Sequence, residues 1–127
     1  MKKIIGSLLA LPILLCIAVP VVFASEATIS TMSGIVMHLQ HYPSNAEKQV
    51  LATISQDDHA TVGEKALASA LMHMQHAIQG SDATALRTLM SDKQASHGER
   101  ELADILLGIS HKPSSSDMRR LKSLSGS

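Results

Sequence analysis

A block of about 35 residues occurs three times in this 127-residue chain, and that period limits its architecture more than any single residue does. The segment Thr61-Val62-Gly63-Glu64-Lys65-Ala66-Leu67-Ala68 aligns with Ser96-His97-Gly98-Glu99-Arg100-Glu101-Leu102-Ala103. Met37-His38-Leu39-Gln40-His41 returns at the same offset as Met72-His73-Met74-Gln75-His76. His41-Tyr42-Pro43-Ser44 returns two periods later as His111-Lys112-Pro113-Ser114. A period in the range of 20–50 residues marks supersecondary units that bury their apolar faces against one another.

Residues 1–24 read as a secretory signal peptide and are set apart from the fold. Lys2 and Lys3 form a basic start, Ile4 to Phe23 is uncharged and apolar, and Val22-Phe23-Ala24 places small residues at −3 and −1 before Ser25. An uncleaved anchor is the competing reading, because the apolar stretch nearly reaches bilayer length. Pro12, Pro20 and the cleavage signature favour removal, and Leu15 before Cys16 disfavours a lipoprotein. The expected product is one domain over residues 25–127, periplasmic or secreted, with no membrane span after cleavage. Its only cysteine, Cys16, leaves with the leader, so disulfides and Cys-ligated zinc are excluded from the mature chain.

Charge and aromatic content argue against nucleic acid. Without Lys2 and Lys3, nine of the eleven basic residues remain against eleven acidic ones. Tyr42 is then the sole Phe, Tyr or Trp. No basic patch attracts phosphate, and no aromatic platform is available for stacking bases.

The expected fold is all-α: three tandem helix–turn–helix repeats, six helices in all, arranged as a right-handed stack or a compact bundle. A longer helix opens each unit near 27–41, 62–78 and 97–110, and a shorter one follows near 45–55, 82–92 and 115–124. Thr61/Glu64, Ser96/Glu99, Ser44/Glu47 and the weaker Ser114/Asp117 have capping-box spacing. In the first copy Glu26 takes the cap position and Ile29 replaces the glutamate. Met32, Val36 and Leu39 form an i, i+4, i+7 stripe, repeated by Leu67, Leu71 and Met74 and by Leu102, Leu106 and Ile109. Leu51/Ile54, Leu86/Leu89 and Leu121/Leu124 give the shorter helices an i, i+3 apolar pair to fold back on the longer ones. The period is near that of tetratricopeptide repeats, but their Trp, Gly, Tyr and Phe signature positions are unfilled, so no family follows.

Seven histidines make metal binding the main chemical hypothesis. His38/His41 and His73/His76 are candidate ligand pairs at i, i+3 on one helical face, beside Met37, Met72 and Met74, and would suit copper, zinc or nickel. His41, His76 and His111 are expected instead to end each longer helix as clamps on its free carbonyls. On translated helices these three point the same way; their convergence on one ion needs a closed geometry. Gly80 is expected to supply a left-handed residue where the second copy lacks Pro-Ser. Arg119, Arg120 and Lys122 are expected on the solvated face of the last helix. Asp57-Asp58-His59 is the nearest thing to an acid–base cluster, and no nucleophile, phosphate-loop or His-Glu-x-x-His motif is present. The chain is therefore expected not to be an enzyme and to need no cofactor beyond a possible copper or zinc ion. The leading expectation is a binding or adaptor module for another protein. The alternatives are a periplasmic metal-binding protein and a structural or stress-related envelope protein.

Overall fold

The computed structural model describes residues 25–126; residues 1–24, the expected signal peptide, and Ser127 lie outside the described residues. The described chain is all-helical, with α1 Glu26–Met37, α2 Asn45–Gln56, α3 Val62–His73, α4 Gly80–Ser91, α5 His97–Gly108 and α6 Ser115–Ser125. Four of these helices begin as their capping boxes require. Ser44, Thr61, Ser96 and Ser114 each accept the N3 backbone N–H, and Glu47, Glu64, Glu99 and Asp117 return the contact to the cap residue's own N–H. The first helix starts one residue earlier than the repeat alignment implies: Ser25, not Glu26, is its N-cap, without a side-chain cap bond.

All nine stripe residues are buried, from Met32, Val36, Leu67, Leu71, Leu102 and Leu106 at 0 % exposure to Leu39 and Ile109 at 3 %. Leu51, Leu86 and Leu121 from the shorter helices meet them in one continuous core. The shorter helices, however, pack chiefly on the longer helix of the following copy: α2 on α3 and α4 on α5. The same relation joins α6 to α1, which closes the chain into a ring. The six helices are therefore a closed bundle, with α1, α3 and α5 touching one another at its centre. An open stack would leave α1 and α6 with uncovered apolar faces; their mutual packing covers both.

The longer helices stop sooner than the apolar spacing suggests, at Met37, His73 and Gly108. Met74 and Ile109 then adopt extended backbone, with ψ of 129° and 132°, and still place their side chains in the core. The i+7 position of the stripe is filled without a final helical turn. Equivalent positions of the next corner, Pro43 and Ile78, are also buried. Gly80 has φ of 61°, as expected, although it opens α4 instead of ending the helix before it. Its amide position needs a left-handed backbone that glycine adopts without Cβ strain.

At the start of the central helices the units interlock through their caps. Glu64 accepts from the backbone N–H of Thr61 (2.8 Å) and from that of Ser25 in the preceding unit (2.7 Å). Glu99 accepts from the backbone N–H of Ser96 (2.7 Å) and from the Thr61 hydroxyl. Gly98 lies against Ile29, the residue that replaces the glutamate in the first copy. These contacts place the N-termini of α1, α3 and α5 side by side, so the three helices run parallel and their C-termini also share one end.

Candidate metal centre

The C-terminal ends of the three central helices lead into three corners that meet on the axis of the ring. His41, His76 and His111 occupy the tips of these corners, each in the left-handed region, with φ of 75°, 72° and 70°. Their main chains form a closed cycle. His41 N–H donates to the His111 carbonyl (2.8 Å), His111 N–H to that of His76 (2.7 Å), and His76 N–H to that of His41 (3.1 Å). Each corner thus donates to one neighbour and accepts from the other, which satisfies backbone groups leaving a helix.

The three imidazoles converge as well. His111 Nδ1 lies 3.1 Å from His41 Nδ1 and 3.0 Å from His76 Nδ1. The ring centroids are 4.8–5.2 Å apart in edge-to-face pairs. One ligand nitrogen from each ring falls within 4.8 Å of the other two, which makes this the one group of three metal-ligand side chains among the described residues. Nitrogens bound at 2.0–2.1 Å to a tetrahedral zinc lie roughly 3.3–3.4 Å from one another. The two separations at His111, 3.0 and 3.1 Å, are slightly shorter than that spacing, and the whole set lies within 4.8 Å.

Hydrogen bonding alone does not satisfy this triangle. A neutral imidazole donates from one nitrogen and accepts at the other, and Nδ1 of His111 serves both neighbours. That nitrogen has a single N–H or a single lone pair in any one tautomer, so it must share it between two neighbours. A cation on the axis accepts all three lone pairs at once. The central helices reinforce this, since their parallel C-termini bring three negative dipole ends within about one turn of the rings.

The backbone makes the same point from a different direction. A left-handed residue costs about 1–2 kcal/mol unless it is glycine, which is the default there. The chain spends histidine on this conformation at all three corners, and strain of this kind collects where a side chain has work to do. The helix-clamp role expected of these histidines is replaced: the helices end three or four residues earlier, and the corners bond to one another.

The pairs His38/His41 and His73/His76 do not share a helical face, because the chain leaves the helix between their members. His38 Nδ1 meets the Gly34 carbonyl of its own helix at 2.8 Å. His73 Nδ1 meets Asp82 Oδ2 on α4 at 3.0 Å. Of the four candidate ligands only His41 and His76 join the cluster, and its third member, His111, belongs to neither predicted pair. Its signal lay in recurrence: position 41 holds histidine in every copy, whereas Gly108 stands where His38 and His73 do.

The remaining polar clusters have local tasks. Asp57 Oδ1 accepts from His59 N–H and Asp92 Oδ1 from Gln94 N–H, both at 2.9 Å, so the two loops make the same turn. The His59 amide holds the Asp57 carboxyl below its ordinary value. Arg120 is not a free surface cation: it pairs with Glu101 at 2.5 Å and Asp104 at 2.7 Å, tying α6 to α5. That hydrogen bond from Arg120 holds the Glu101 carboxyl below the usual carboxylate range. Among the described residues no helix is long and apolar enough to cross a membrane. No protein-family model, no curated protein and no solved structure matches the chain.

Proposed function

We propose that this is an exported metal-binding protein that holds one divalent first-row transition-metal ion on the Nδ1 atoms of His41, His76 and His111. The observation that carries this reading is the approach of His41 and His76 Nδ1 to within 3.0–3.1 Å of His111 Nδ1 at left-handed corners, where glycine would serve a purely structural turn. An all-imidazole donor set suits zinc, copper(II) and nickel. The apolar side chains of Leu39, Met74 and Ile109 stand two residues before the ligands and are buried, while the three histidines are exposed. A further ligand would therefore reach the ion from solvent, as water, a small anion or a side chain of another molecule.

An adaptor role rests on the repeat architecture, a fold-level argument. Among the described residues the large exposed apolar side chains are Tyr42, Val50, Val62 and Met90, one in a corner and one each on α2, α3 and α4. No one observation gathers them into a partner site.

Calorimetric titration of the 25–127 chain with Zn(II), Cu(II) and Ni(II) tests the metal reading. One ion per chain is expected, at micromolar affinity or tighter. His111→Ala should weaken it roughly 100-fold, about 2.8 kcal/mol, and the double variant His38→Ala, His73→Ala should leave it unchanged. Binding that survives loss of His111 but not of His38 and His73 would overturn the assignment.

A further inference from the structure

The other end of the central helices holds a buried carboxylate whose countercharge is missing from the side chains around it. Glu64 is 1 % exposed, and both its oxygens accept only backbone N–H groups, from Thr61 and Ser25. Among the described residues no lysine, arginine or histidine forms an ion pair with it. Burying a carboxylate away from water is costly unless a cation or strong donors meet it. At the equivalent place in the next unit Glu99 receives the Thr61 hydroxyl; Glu64 receives the main-chain nitrogen of Ser25 instead, at 2.7 Å.

Ser25 is also the residue that follows the Val22-Phe23-Ala24 cleavage signature. We infer that proteolytic processing between Ala24 and Ser25 makes the new α-ammonium group the structural counter-ion of Glu64. Water adds across the Ala24–Ser25 peptide bond in a leader-peptidase reaction, releasing the Ala24 carboxylate and leaving Ser25 with a free, protonated amine. A neutral amide donor at 2.7 Å becomes a cationic one in the same position, and charge-assisted bonds of this kind are about twice as strong as neutral ones. The cation stands at the N-cap of α1, where the helix dipole opposes it, so Glu64 is what makes the position favourable. Removal of the leader would thereby fasten the first helix onto the third at the moment of export.

The six helices of the described residues and their core lie within residues 25–126, so the processed chain contains all of them. The test has two arms. In the first, the full-length chain is expressed with its own leader, and the N-terminus of the exported product is read by mass spectrometry. Ser25 is the expected first residue, and any other start overturns the inference. In the second, thermal melts compare the Ser25 chain with a free amine, the same chain N-acetylated, and one retaining Ala24. The free amine should melt about 4–8 °C above the other two, and Glu64→Gln should close that gap. Equal melting of the free and acetylated forms would overturn the inference, and that comparison decides it even if Glu64→Gln does not fold.

Discussion

His76 Nδ1 and His111 Nδ1 lie 3.0 Å apart although 35 residues separate them in the chain. Their backbones are joined as closely, by a 2.7 Å bond from the His111 N–H to the His76 carbonyl. A single residue type thus serves two purposes at each corner, and substitution can separate them.

His111→Gly keeps the left-handed corner and removes the imidazole. Apo stability should change by no more than about 1 kcal/mol, because relief of Cβ strain offsets the greater freedom of glycine in the unfolded chain. His111→Ala keeps the strain and also loses the ring, and should be the less stable of the two. Neither should bind metal tightly. Urea melts with and without Zn(II) measure both effects: ion at 100 times the parent's Kd adds about 2.7 kcal/mol to the parent and only about 0.4 kcal/mol to variants that bind 100-fold more weakly.

Gly63 sits where the second unit meets the third, and a Cβ there would overlap the Glu99 carboxylate and approach Leu89 Cδ1 to 2.7 Å. Gly63→Ala should therefore cost about 1–3 kcal/mol, the usual penalty for overpacking. Gly34, inside α1, has nothing within 4 Å of the same position. Gly34→Ala should instead stabilise by up to about 1 kcal/mol through helix propensity. Opposite shifts in thermal midpoint are the expected result.

Arg120 ties α6 to Glu101 and Asp104, and the bond it donates lowers the Glu101 carboxyl. A carboxyl with a depressed folded value stabilises the protein above its unfolded value. It loses that contribution as pH falls through the folded one. Acid should therefore loosen this clamp, and Arg120→Met should flatten the acid limb of stability against pH at a cost of about 1 kcal/mol near neutrality. Melts between pH 2 and 7 would show whether the two curves converge at low pH.

The fourth helix lacks the side-chain cap that α2, α3, α5 and α6 possess, because Gln79 stands at its N-cap where the first and third copies have Ser44 and Ser114. Gln79 already has the extended backbone of a cap residue, with φ −136° and ψ 172°. Gln79→Ser should stabilise by about 1 kcal/mol. Its Asp82 partner at N3 is engaged with His73, so the gain should rise in His73→Ala. Additive effects of the two substitutions would show that Asp82 is not shared.

Much of this molecule was legible in the order of its residues. Cap spacings, the Met32–Val36–Leu39 stripe and its two repeats, and the corners after each central helix are local patterns, set by a helical period and by which side chains can close a helix end. Those patterns are indifferent to whether successive units are displaced along a line or rotated around an axis. That choice is made by side-chain packing between units far apart in the chain: α2 and α4 settle on the following central helix, and α6 settles on α1. With that last contact the ring closes, and histidines that would point the same way in a stack point at one another. The periodic sequence determined that positions 41, 76 and 111 would be equivalent; only the tertiary closure decided that they would meet, because three equivalent positions share one point only when the units that carry them surround an axis.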